Sequence, residues 1–389
     1  MRRLLSPLTL AMLGMVPVAA QADIFDARAM GRGGAGLTMG EYNLALINPA
    51  LINKFDEDDD FSFALNVGVM ASDVDGLAEG ADEIQNDIDT LFGSFNAARA
   101  SDINQRMQAL NGAMAQVDIG GALMVAIPNN TISAALVVKT KVTLGIAYAY
   151  DAGDAAILQG IANAVNTDND LQSKANTSGI GVAEAGVMLG KAFGPLEIGA
   201  TLKSQKIELY RYSANVASFD EDDIAEDQNS ASHNHINLDV GANFRFGAEG
   251  QFVVAGVIEN LNPKTFEGPT PNGLQIPAPR ADYKMEPVAM AGVGYSGSLV
   301  KLEANVDLTP RNGYDQILDT QFARAGIELS AGRHFHLRAG YRTDTKNNVS
   351  DVFTAGLGIT PFDRFNIDLA GAIGDGDTYG VALQIGFKI

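Results

Sequence analysis

Gly31, Gly33 and Gly36, in "MGRGGAG" from Met30, have the spacing G-x-G-x-x-G, which in the right setting cradles a dinucleotide pyrophosphate. That chemistry needs a buried strand running into the glycines and a helix running out of them. Only "DIFDARAM", residues 23–30, separates the first glycine from an export signal, and it holds no Val/Ile/Leu run able to be a central strand. The motif therefore predicts a close backbone approach and not a nucleotide site.

The four histidines form two pairs, His233 with His235 and His334 with His336, and i, i+2 spacing puts both members of a pair on one face of a strand. No G-x-S-x-G elbow or H-E-x-x-H motif occurs, and no Ser/His/Asp set stands out, so the chain is expected not to be an enzyme and to use no cofactor. The acidic runs "DEDDD" (56–60), "DEDDIAED" (220–227) and "GDGD" (374–377) lack the Gly and Glu placement of an EF-hand. They read as solvated faces, with Asp220, Asp222 and Asp223 as the candidates for weak divalent-cation binding beside an anionic lipid surface.

Residues 1–22 have the layout of a cleavable secretory signal: Arg2 and Arg3, an apolar stretch from Leu4 to Val18, and Ala20-Gln21-Ala22. There is no cysteine, so disulfides and thiol redox chemistry are excluded. The net charge is −20, and direct nucleic-acid binding is not expected without concentrated Lys and Arg. After the signal no apolar run reaches the length of a transmembrane helix.

The elements that must carry these residues are strands. About fourteen segments of roughly ten residues alternate apolar and polar side chains, as in Phe335, Leu337, Ala339 and Tyr341 against His336, Arg338 and Arg342. Their connections mostly alternate in length. Short turns such as "PNN" at 128 and "FGP" at 193 fall between long connections at 71–115, 151–176, 213–232 and 261–282. This predicts an all-β fold, an antiparallel transmembrane β-barrel of about 14 strands, with short turns toward the periplasm and long loops outside.

In such a barrel the two histidine pairs fall at opposite rims, so a shared four-histidine metal site is not expected. Two long loops, 81–114 and 154–165, carry apolar residues at helical spacing and are expected to be helical insertions. Eight tyrosines, among them Tyr148, Tyr212, Tyr283, Tyr295 and Tyr379, lie near strand ends, where a headgroup girdle would be. Lys301, Glu303, Asp307, Arg338 and Arg342 fall on polar strand faces, so their charges point into the lumen and are expected to pair there.

The stretch "ARAMGRGGAGLTMGEYNLALINPALINKFDEDDDF" from Ala27 to Phe61, followed by "EAGVMLGKAFGPLEIGATLKSQKIELYRYS" at 184 and "LRAGYRTD" at 337, resembles the conjugal-transfer TraF-type outer-membrane barrels, which are related to FadL-type long-chain fatty-acid transporters. The resemblance implies that residues 23–58 form an N-terminal plug, or hatch, inside a barrel of residues 59–389. Its motif is Gly31, Gly33, Gly34 and Gly36 followed by Asn48, Pro49 and Ala50. On chemistry alone the glycines suit close packing, and Asn48-Pro49 suits a self-bonded turn.

The resemblance also implies an outer-membrane location and two readings of function. One is an envelope component of the conjugal-transfer type, bound to other envelope proteins. The other is passive uptake of a fatty acid or another hydrophobic ligand. Both need outer-membrane lipid around the barrel.

Overall fold

The computed structural model describes residues 25–42, 45–56, 59–270, 281–332 and 334–389. The expected export signal, residues 1–22, lies outside the described residues. Fourteen antiparallel strands close into one barrel. They are β1 (Ser62–Ser72), β2 (Met114–Ile127), β3 (Ser133–Ala149), β4 (Lys174–Phe193), β5 (Leu196–Asn215), β6 (Ser230–Phe246), β7 (Phe252–Glu259), β10 (Val288–Ser296), β11 (Val300–Asp307), β12 (Phe322–Ala331), β13 (Phe335–Asp344), β14 (Val352–Ile359), β15 (Phe365–Gly374) and β16 (Thr378–Lys388). The ring closes where β1 pairs with β16, from Ser62 opposite Lys388 to Ala71 opposite Tyr379.

The alternation seen in the sequence is inverted relative to a soluble protein. Along β16, Tyr379, Val381, Leu383 and Ile385 are exposed, while Thr378, Ala382 and Gln384 are buried. On β13 the exposed residues include Phe335 and Leu337, and the buried ones are Arg338 and Arg342. Apolar outside and charged inside is the arrangement a bilayer demands of a closed barrel, because every strand bond is satisfied within the ring.

One expected strand is two. The 283–296 segment divides at Glu286-Pro287, since proline cannot donate to a ladder. Asp282–Met285 becomes β9, which pairs with β8 (Lys264–Glu267) in a separate ribbon over the long-loop end. The wall resumes at Val288, opposite Glu259.

The helical insertions are α2 (Leu77–Asp89), α3 (Ala97–Ala109) and α4 (Asp154–Ala162), preceded by the short α1 (Ala27–Met30). Asp73 opens α2 by accepting from the Leu77 and Ala78 amides at 2.7 and 2.8 Å, and Asn96 opens α3 by accepting from the Arg99 amide at 3.0 Å. With the 216–229 loop these helices share one apolar core that includes Ile88, Leu91, Ile103, Leu158, Tyr148 and Tyr212. The tyrosine girdle is accordingly smaller than expected. Tyr148 and Tyr212 are buried in this core and Tyr283 in the ribbon's cluster, where protein and not lipid covers them. Tyr295 and Tyr379 do face outward.

Candidate functional site

The described residues among 25–55 contact the inward faces of the strands at several points. Gly33 has φ +73, its amide donates to Thr354 Oγ1 at 2.8 Å, and a Cβ there would stand 2.5 Å from the Tyr341 carbonyl oxygen. Gly34 is also left-handed, at φ +82. A Cβ on Gly31 would meet Gly356 Cα at 3.1 Å, and one on Gly36 would meet Ile47 Cδ1 at 2.5 Å. Gly31 and Gly33 thus pack against wall backbone, and Gly36 packs against the Ile47 side chain.

The wall offers matching gaps that the sequence reading missed. Gly326 and Gly340 are opposite each other on β12 and β13, and Cβ atoms on them would fall 2.4 Å from Arg32 Cβ and 2.1 Å from Arg32 C. Gly199 and Gly241 are opposite each other on β5 and β6 and receive Pro49 O and Asn48 Oδ1 in the same way. The available signal was glycine on the inward face of two neighbouring strands, which marks a close backbone approach.

Asn48 closes its own turn and ties it to the wall. Its Oδ1 accepts from the Ala50 amide at 2.9 Å, and its Nδ2 donates to Leu37 O and to Asn243 Oδ1, both at 2.7 Å. Pro49 then starts a single 3-10 turn, Pro49–Asn53, in which Ala50 is fully buried.

Charge completes the seat. Arg28 bonds Asp368 at 2.8 Å, and Arg32 reaches Glu328 at 3.1 Å and Glu303 at 3.8 Å. Arg338 bridges Glu328 and Asp368 at 2.6 and 2.7 Å, and Lys301 joins Glu328 at 2.7 Å. Glu303 also accepts from the Thr38 amide at 2.6 Å. Lys301, Glu303 and Arg338 are therefore brought together. Asp307 lies in a separate cluster with Arg311 and Arg324, and Arg342 stacks on Phe322, 4.6 Å from the ring centre.

Above this seat lies a chamber of about 90 Å³. Lys139, Lys141, Glu184, Lys203, Glu259 and Arg311 line its wall, and Tyr283, Met285, Ile317 and Leu318 line its roof. The wall charges are paired: Lys203 holds Glu184 and Asp239, each at 2.8 Å, and Lys141 holds Asp118 at 2.5 Å. The roof belongs to an aromatic cluster in which Phe266 stacks on Tyr283 at 6.2 Å and Tyr283 meets Tyr314 edge-on at 6.5 Å. His233 and His235 pin the ribbon from outside through the Glu267 and Asn262 carbonyls, each at 2.8 Å.

The other chemical candidates do not assemble. His334 and His336 sit at the short-turn rim, opposite His233 and His235. Ser330 Oγ lies 3.1 Å from His336 Nδ1, but Glu328 faces the same nitrogen at 3.6 Å and is held by three cations, so histidine does not sit between acid and hydroxyl as a triad requires. Asp220 and Asp223, two of the three weak cation candidates, are engaged locally. Asp220 caps its own turn at the Asp222 amide and Asp223 accepts from Tyr212 Oη, and no group of three or more ligating side chains forms a metal site among the described residues.

A family model described as "F plasmid transfer operon, TraF, protein" matches residues 45–307. No curated protein matches this sequence. Among solved structures, the P. putida toluene transporter TodX aligns with a TM-score of 0.54 at 11% identity, over 96% of this chain and 99% of that one. A TodX deltaS2S3 mutant, described as a monoaromatic hydrocarbon channel, gives 0.56 at 13% identity over 93% and 98%. A Pseudomonas aeruginosa FadL homologue gives 0.52 at 10% identity over 96% and 98%. At these identities the likeness is one of fold.

Proposed function

Taking as premise that the chain belongs to the family of F plasmid transfer operon TraF proteins, we propose that it is an outer-membrane barrel, plugged by residues 23–58, that passes small hydrophobic molecules inward. The observation that carries this reading is the aromatic and aliphatic roof, Phe266, Tyr283, Met285 and Tyr314, set directly over a lumenal chamber. An apolar entrance followed by fixed polar groups is the usual build of a small-molecule site. The solved barrels of the same fold, described as toluene and monoaromatic hydrocarbon channels, support this direction.

The chamber's 90 Å³ is well under the roughly 300–1,000 Å³ of a ligand pocket, so passage requires the ribbon and the plug to move. The experiment is uptake of labelled toluene and of a labelled fatty acid by cells with and without the gene, paired with native mass spectrometry of the detergent-purified barrel. Faster uptake and a co-purified apolar molecule are expected. Equal uptake and clean protein defeat the reading.

A second reading, an envelope component of the conjugal-transfer type, is favoured by the family itself and by the tightly seated inner segment. Transfer frequency in a deletion strain tests it directly. An unchanged frequency removes it.

A further inference from the structure

The structure places most of the protein's net negative charge on one outer cap, and that cap ends in exposed aromatic residues. The loops after β1, β3 and β5, residues 73–113, 150–173 and 216–229, contain eighteen Asp and Glu against only Arg99 and Arg106. Both arginines are bound to Asp87. The chain as a whole carries −20, so this one region accounts for most of it. The three loops share a single apolar core and so present one surface.

At the tip of this surface Phe92, Phe95 and Val165 are 60, 77 and 78% exposed. They sit on two turns tied to each other, Gly93 N to Ile161 O at 3.1 Å and Phe95 N to Ala162 O at 2.9 Å. Phe95 and the neighbouring Ala164 both have positive φ, at 51 and 56°. An aromatic held in that conformation is strained and gains no burial here, so packing within this chain does not account for its presence.

We propose that this tip docks a cationic amphipathic polypeptide segment from outside the cell, with Phe92, Phe95 and Val165 as the apolar contact and the surrounding carboxylates as the charge partner. Charge decides among occupants. A second copy of the cap and an anionic lipid surface would both bring like charge against like, whereas a basic, apolar-faced segment gains electrostatic steering and anchor burial together.

The test uses the full barrel in phosphatidylcholine nanodiscs and, as probe, a fluorescein-labelled amphipathic Leu-Lys helix, with a Leu-Glu helix and empty nanodiscs as controls. Anisotropy should report binding of the Leu-Lys helix alone. Affinity should fall at least about tenfold with Phe92→Ser plus Phe95→Gly, and again when salt is raised from about 0.05 to 0.5 M, since surface charges are screened there. Val165→Ser is the milder variant, and heat-modifiable migration verifies that each barrel folds. Affinity unchanged by the substitutions, equal binding of the Leu-Glu helix, or equal binding to empty nanodiscs overturns the proposal. Self-association through the tip in sedimentation does so too.

Discussion

Arg32 of the inner segment and Glu328 of β12 meet at 3.1 Å in the barrel interior, both almost wholly buried, and Arg338 and Lys301 complete the pairing from the wall. One carboxylate thus pairs with three cations, one of them Arg32 of the inner segment. Removing it leaves those cations buried and short of a partner, which is costlier than never having built the cluster.

Glu328→Gln is therefore expected to destabilise the folded barrel by about 3–5 kcal/mol, the usual cost of breaking a buried pair. Heat-modifiable migration on gels, read as a lower temperature of unfolding, checks it. A midpoint equal to that of the parent would mean that the cluster is solvated.

Gly33→Val puts a β-branched residue at φ +73, against the Tyr341 backbone, and should unseat the inner segment at a cost of about 1–3 kcal/mol while the ring of strands still forms. Gly340→Val should do the same from the wall side. Single-channel recordings should show larger leak currents, and protease should cut ahead of residue 60. Tight, silent channels from both variants would count against a plug.

Tyr283→Ala removes the ring that joins Phe266 to Tyr314 in the chamber roof. Liposomes carrying this variant should admit small aromatic solutes faster than the parent. Unaltered permeation would show that the roof is not the barrier.

Asp87 ties α2 to α3 by accepting hydrogen bonds from Arg106 and Arg99, which hold its carboxyl below the usual range. A depressed folded value makes this stabilisation complete at neutral pH and lost as pH falls below about 4 toward the folded value. Amide exchange in α2 and α3 should therefore rise between pH 4 and pH 2 by a margin that is absent in Asp87→Asn. If both proteins respond alike, the pairing does not hold the cap.

Much of the fold was legible because a membrane barrel writes a period of two into every strand. Phe335, Leu337, Lys301 and Glu303 each follow from their place in that alternation. The 283–296 segment misled because Tyr283 and Met285 keep the same period inside the ribbon as they would in the wall, and only the missing amide of Pro287 marks the break. Tyr148 and Tyr212 misled for a related reason: alternation continues along β3 and β5 to where the apolar side chains meet the loop helices and not lipid.

The candidate site was legible in part. Asn48, Pro49 and the glycines of "MGRGGAG" could be read as a close-packed turn, since φ above zero and a self-bonded Asn are local properties. Their seats on Gly199, Gly241, Gly326 and Gly340 could not, because a missing side chain matters only once something is known to lie against it.

Within the barrel wall, residues such as Phe335, Leu337 and Arg338 could be assigned outward or inward from the sequence, because that choice follows from hydrophobicity and a backbone period confined to a single strand. Tertiary structure alone decided that Arg32 meets Glu328, that Lys203 sits between Glu184 and Asp239, and that three acidic loops converge beneath Phe92 and Phe95. Those relationships depend on strand register and on closure of the ring. Both are settled by hydrogen bonds between residues far apart in the chain, which no local pattern records.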